Sequence, residues 1–161
     1  MEAGTDQLPI EVLRDFTKSA PVEVRAIARE LGLLIREKDM GKDSGKIEQD
    51  WAGYFVITVN ERHSETRKRF TIAHEIAHYV LHRDKIGDGI LDDGLYRSSK
   101  GGDIERQANN YAASILMPGP LVGSCWRNGL RTPIQLAEVF RVSPSVAEIR
   151  IRELGLKNVA A

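Results

Sequence analysis

Disulfides, membrane spans and a dominant charge are all missing from this chain. Its 161 residues hold one cysteine, Cys125, which excludes an intrachain disulfide and fits a reducing compartment. That thiol reads as a small apolar residue near a helix end rather than as a nucleophile. No apolar run approaches the roughly 20 residues that cross a bilayer. Met1 to Gln7 is acidic and polar, without the apolar stretch of a secretory signal. Basic and acidic residues balance at 23 each, so the total charge gives no hint of a nucleic-acid or membrane partner. The one local imbalance, between Trp126 and Lys157, sets six Arg or Lys against three Glu and is mild. Repeats and low-complexity tracts are also lacking. What remains is a soluble cytoplasmic protein, 42% hydrophobic and 29% charged, of a length that supports one main core and a small appended module.

The order of elements follows from periodicity and punctuation. Pro21 opens a helical segment in which Val24, Ile27, Ala28 and Leu31 recur at helical spacing until Gly32. Ile35 to Asp50 is polar, carries Gly41 and Gly45, and predicts a short strand running into a turn. The β-branched and aromatic run from Ala52 to Asn60 predicts a strand with both faces at least partly covered. Arg83 to Asp103, with five glycines, reads as a long loop or lid. A helix from about Asp103 to Leu116 stops at Met117-Pro118-Gly119-Pro120, which sets a boundary between a first domain, 1–120, and a helical module, 121–161. In that module two short helices, Thr132 to Phe140 and Ser143 to Leu154, have Thr132 and Ser143 as N-caps and Gly155 as a stop.

Ser64 to His82 is the most informative segment. On a helix, Phe70, Ile72, Ala73, Ile76, Ala77, Val80 and Leu81 fill roughly 180° of arc, and Thr71, His74, Glu75, His78 and His82 fill an opposite arc of about 100°. The polar stripe is rich in histidine rather than lysine, so this helix is expected to be buried on one side and to line a site on the other. His74-Glu75-Ile76-Ala77-His78 is an H-E-x-x-H pattern. Its two histidines lie about 40° apart around the helix and about 6 Å along it, so both imidazoles can converge on one zinc ion. Glu75 projects beside them, placed to act as general base on a water that the ion acidifies. Chance alone puts this pentapeptide in about 1% or fewer of chains of this length, which across a proteome still yields many matches, so its helical context carries the argument.

Two residues compete for the third ligand. His82 continues the four-residue spacing but sits about 12 Å along the axis from His74, too far for three imidazoles on one straight helix to close a tetrahedral shell. It reads as a hydrogen-bonded partner at the rim. The glycine turn that precedes the third histidine of metzincins is missing. Glu105 is the better candidate, since it opens a second helix whose Ala108, Asn109 and Ala112 form a small-residue face for close packing. Two His and one Glu leave a fourth position for water. Asn109, Asp84 and Asp103 are candidate acceptors for the outer imidazole N–H groups. Tyr111 reads as core in preference to an oxyanion donor, and His63 as an ordinary loop residue.

Arg69 to Tyr79, the preceding strand end Val59-Asn60, and Glu105 to Ala113 closing in Leu116-Met117-Pro118 together resemble the ImmA/IrrE-like zinc peptidases over about residues 20–155. The resemblance implies an α+β fold: a small zincin-like metallopeptidase domain, with a short sheet, an active-site helix and a Glu helix, followed by a small helix-turn-helix-like module. It implies His74, His78 and Glu105 as zinc ligands and Glu75 as catalytic base. It further implies cleavage of a helix-turn-helix, Xre-like transcriptional repressor encoded nearby, relieving repression of a mobile element or stress response. The chain ends soon after the module, so the sensory domain of longer relatives is expected to be missing. The alternatives are a toxin-antitoxin component, or a DNA-binding regulator whose zinc is structural or vestigial. Direct nucleic-acid binding is not favoured, because the candidate recognition helix from Ser143 offers few donors to base edges before Arg150.

Overall fold

Among the described residues, three strands precede the long helix and a fourth follows it. The computed structural model describes residues 8–87, 90–92 and 102–157. Among them are helices α1 (Leu8–Phe16) and α2 (Val24–Glu30), strands β1 (Leu34–Lys38), β2 (Gly45–Gln49) and β3 (Phe55–Asn60), helix α3 (Glu65–Leu81) and strand β4 (Ile90–Asp92). Helices α4 (Gly102–Leu116), α5 (Gly119–Arg127), α6 (Pro133–Phe140) and α7 (Pro144–Glu153) complete the order. The class is α+β, as expected, with an architecture consistent with a small zincin-like domain.

The sheet runs β1-β3-β2-β4, with β1 parallel to β3 and the other pairs antiparallel. β3 occupies a central place, which is why all of Val56 to Asn60 is buried and why its sequence is β-branched at nearly every position. Asn60 closes the strand with its side chain inward. Its Nδ2 donates to the carbonyls of Gly41 (3.0 Å) and Asp43 (2.9 Å), which pins the turn leading into Gly45. At the opposite end, Asp50 Oδ1 accepts from the backbone N–H groups of Ala52 and Tyr54, both at 2.9 Å, and shapes a tight β2–β3 turn. Trp51 at its tip is 99% exposed, whereas Trp126 on α5 packs half-buried against the core.

Some boundaries differ from those read in the sequence. Gly45 belongs to a second strand rather than to a turn. Pro21 precedes α2 by three residues instead of opening it. Pro118 and Pro120 end α4 and also start α5, an element the punctuation hid: Pro118 is its N-cap and Pro120 lies in its first turn. The loop or lid expected at 83–103 falls largely outside the described residues. Its described parts are a 3-10 turn (Arg83–Lys85), β4 and the start of α4.

One hydrophobic core runs from Val22 and Ile27 through Ile57, Ile72 and Ile76 to Leu116, Leu136, Phe140 and Val146. Arg69 ties its parts together. This guanidinium is only 7% exposed, and it donates to the carbonyls of Val22 (2.9 Å), Phe140 (3.2 Å) and Arg141 (3.2 Å). Burial pulls its pKa below the usual arginine value, and the three carbonyl dipoles compensate the buried charge. Arg141 itself adopts a left-handed backbone (φ 53°) that turns the chain from α6 into α7.

Candidate metal centre

The centre lies where α3 packs on α4. Ser64 caps α3, its hydroxyl accepting from the Arg67 N–H at 3.2 Å, and the helix then stays buried without interruption from Arg69 to His78. The Thr71 hydroxyl donates back to the Arg67 carbonyl at 3.0 Å, which lets a polar residue sit under the sheet. α4 contributes the small residues Ala108, Ala112 and Ala113, all buried, and this allows the two helices to approach closely.

His74, Glu75 and His78 are fully buried, and their donor atoms lie within 4.8 Å of one another. His74 Nε2 and His78 Nε2 face each other at 3.1 Å, with the ring planes at 85°. The Glu105 carboxylate bridges them from α4: Oε2 is 3.1 Å from His74 Nε2 and Oε1 is 3.0 Å from His78 Nε2. Two imidazole nitrogens and a carboxylate thus crowd one point. A tetrahedral zinc shell with bonds of about 2.0–2.1 Å separates its ligand atoms by about 3.3–3.4 Å, so these separations fit such an ion with small adjustment. Only Glu105 in this triad carries a formal negative charge when the imidazoles are neutral. The four residues named from the sequence are therefore brought together.

His82 is hydrogen-bonded, as read from the sequence, whereas the acceptors around the imidazoles differ from those expected. His82 is buried at the end of α3, with its Nδ1 3.0 Å from His78 Nδ1 and its Nε2 2.8 Å from Gln107 Oε1. Among the candidate acceptors, Asp84 is exposed, Asp103 is exposed and pairs with Arg106, and Asn109 Oδ1 is buried without a hydrogen-bond partner. Gln107 was not foreseen, because it lies about 200° around α4 from Glu105 and no spacing rule selects it. Tyr111 packs half-buried against the core, and burial raises the pKa of its phenol. Gly45 is the other unforeseen residue. It lies beneath Glu75, where a Cβ would stand 3.4 Å from Glu75 Oε2.

No helix among the described residues is long and apolar enough to cross a membrane. Of solved structures, a Mycobacterium tuberculosis transcriptional regulator shares the fold at a TM-score of 0.61 and 20% identity, over 90% of this chain and 46% of that one. In sequence, the radiation response metalloprotease IrrE of Deinococcus deserti is 31% identical over 114 residues, 68% of this chain and 38% of that protein. The metallopeptidase ImmA of Bacillus subtilis is 24% identical over 126 residues, 76% of this chain and 71% of that protein. The chain thus spans little more than a third of the Deinococcus deserti relative. Metalloprotease relatives imply a metal ion, and this chain presents a buried His-Glu-His cluster to receive one. The family model described as the IrrE N-terminal-like domain of the M78 peptidases matches residues 28–152, and the chain belongs to that family.

Proposed function

We propose that the chain is a zinc-dependent endopeptidase with His74, His78 and Glu105 as metal ligands and Glu75 as general base. The observation that carries this reading is the convergence of His74 Nε2, His78 Nε2 and the Glu105 carboxylate at 3.0–3.1 Å, beside a fully buried Glu75. Zinc, when bound, supplies Lewis-acid polarisation of the scissile carbonyl and acidifies a water. Glu75 takes a proton from the attacking water as its oxygen bonds to the carbonyl carbon, and returns that proton to the nitrogen as the C–N bond breaks. His74, His78 and Glu105 hold position through the close packing of α3 on α4.

The substrate in this reading is one cytoplasmic protein, a helix-turn-helix, Xre-like repressor encoded nearby, rather than bulk peptide. The name of the Deinococcus relatives, a radiation response metalloprotease, supports a regulatory role. The same reading divides the chain into a peptidase part, 1–120, and a helix-turn-helix-like module, 121–161, that contacts protein rather than DNA. In support, Arg150, the first basic donor along α7, is half-buried, donates from Nε to the Met117 carbonyl at 2.8 Å and pairs with Glu153. The test mixes the zinc-loaded chain with that repressor. A single defined cut, lost in Glu75→Gln, is expected; cutting at the original rate by Glu75→Gln would remove the mechanism. Salt-dependent retardation of DNA by the chain would overturn the protein-contact reading of the module.

A further inference from the structure

His82 follows His78 by one turn and ends α3, with its backbone N–H donating to the His78 carbonyl at 2.8 Å. Its side chain is 4% exposed and engaged at both nitrogens. The far end of this chain of contacts is an amide oxygen, Gln107 Oε1, 2.8 Å from His82 Nε2. An amide oxygen only accepts, so His82 Nε2 carries a proton. A neutral His82 then presents a lone pair at Nδ1, and the nitrogen facing it at 3.0 Å, His78 Nδ1, carries the shared proton. The remaining nitrogen of His78, Nε2, is left with its lone pair directed at His74 and Glu105.

We propose that His82 and Gln107 are positioning residues that fix His78 as the Nδ1–H tautomer and so hold its Nε2 ready for the metal. Two N–H groups point outward in series along the line His78, His82, Gln107, each held by one acceptor. Histidine ligands are commonly oriented by a carboxylate or a backbone carbonyl. Here a second imidazole takes that place, and a neutral amide sets the polarity from the rim, where Gln107 is exposed. The proposal rests on the reading of His78 as a ligand.

The experiment measures zinc affinity by chelator competition and, in the zinc-loaded 15N-labelled protein, scalar coupling across the hydrogen bond between the two ring nitrogens. Coupling between His78 Nδ1 and His82 Nδ1, with the proton on His78, is expected. His82→Leu should weaken zinc binding about 10- to 100-fold and Gln107→Leu by less, while His82→Asn, which keeps an acceptor near Nδ1, stays within about threefold. Gln107→Leu alters only an exposed side chain and tests the relay even if His82→Leu does not fold. A proton found on His82 Nδ1, an absent coupling, wild-type affinity in folded His82→Leu, or wild-type affinity in Gln107→Leu where His82→Leu does not fold, overturns the proposal. A native chain that fails to bind zinc overturns instead the metal reading beneath it.

Discussion

Gly45 on β2 and Glu75 on α3 face each other across the sheet–helix interface, where a Cβ at 45 would reach ordinary contact with the Glu75 carboxylate at 3.4 Å. The same Cβ would come within 2.5 Å of Thr71 Cγ2 and 2.9 Å of the Thr58 carbonyl oxygen. Neither neighbour yields cheaply. The oxygen is main chain in a central strand, and Thr71 is β-branched on a helix with its hydroxyl already engaged. Gly45→Ala is expected to force β2 away from α3, costing about 1–3 kcal/mol of stability by overpacking. Peptide cleavage should fall further than stability implies, because the Cβ displaces Thr71, one turn before Glu75 on α3. Thermal unfolding and turnover measured together check this, and wild-type values in both would show that the contact has no weight.

Glu75 and Glu105 are both carboxylates at one centre, and their variants should part company. Glu75→Gln is expected to lower cleavage by about 10²- to 10⁴-fold through lost base catalysis, with metal content unchanged. Glu105→Ala removes the anionic member of the ligand triad and should weaken metal binding by more than about 100-fold, beyond the cost of losing an outer partner. Metal stoichiometry by elemental analysis, taken beside rates, separates the roles. Equal metal retention by both variants would count against Glu105 as a ligand.

Arg69 supplies donors to three carbonyls, one at Val22 and two at the adjacent residues Phe140 and Arg141. Arg69→Met keeps much of the apolar stem but strips the carbonyls of Val22, Phe140 and Arg141 of those bonds. A loss of about 3 kcal/mol is expected, the scale of a charge-assisted bond together with a buried acceptor left unmet. Denaturant midpoints at constant slope measure it. A shift near zero would mean that water replaces the guanidinium without cost.

His63 is partly buried, with Nδ1 lacking a hydrogen-bond partner. Desolvation, aided by Arg67 and Lys68, holds its pKa below the ordinary value of 6.5. The unfolded chain therefore binds a proton more readily than the folded one. Stability falls as pH drops through about 6.5 and stops falling once pH is below the folded value. His63→Gln is expected to flatten this part of the stability profile. The comparison is the difference in unfolding free energy between native and variant from pH 7.5 to 5. Parallel profiles would exclude the histidine as the source.

Much of this arrangement is written locally. The i, i+4 histidines and the small face of α4 each follow from helix geometry, so the approach of Glu105 to His74 and His78 was foreseeable from spacing and packing size. Gly45 was not, because a glycine in a polar stretch signals a turn unless the opposing helix is known. Gln107 escaped for a related reason: its bond to His82 depends on the relative rotation of α3 and α4, a tertiary quantity that no single-helix pattern encodes. α5 was hidden because prolines that end one helix can also open the next. The family resemblance is shown by the match over residues 28–152, whereas the identity of the substrate has no local signature.

The chain's two tryptophans differ in solvation, with Trp51 at the β2–β3 tip open to water and Trp126 of α5 half-buried against the core. The Trp51 indole already experiences in the folded state the solvent it meets after unfolding. A spectral shift on denaturation accordingly originates at Trp126. Intrinsic fluorescence becomes a gauge of the packing around α5 and is blind to fraying of the sheet, so a denaturation curve followed by emission and one followed by circular dichroism report on different regions of the same molecule.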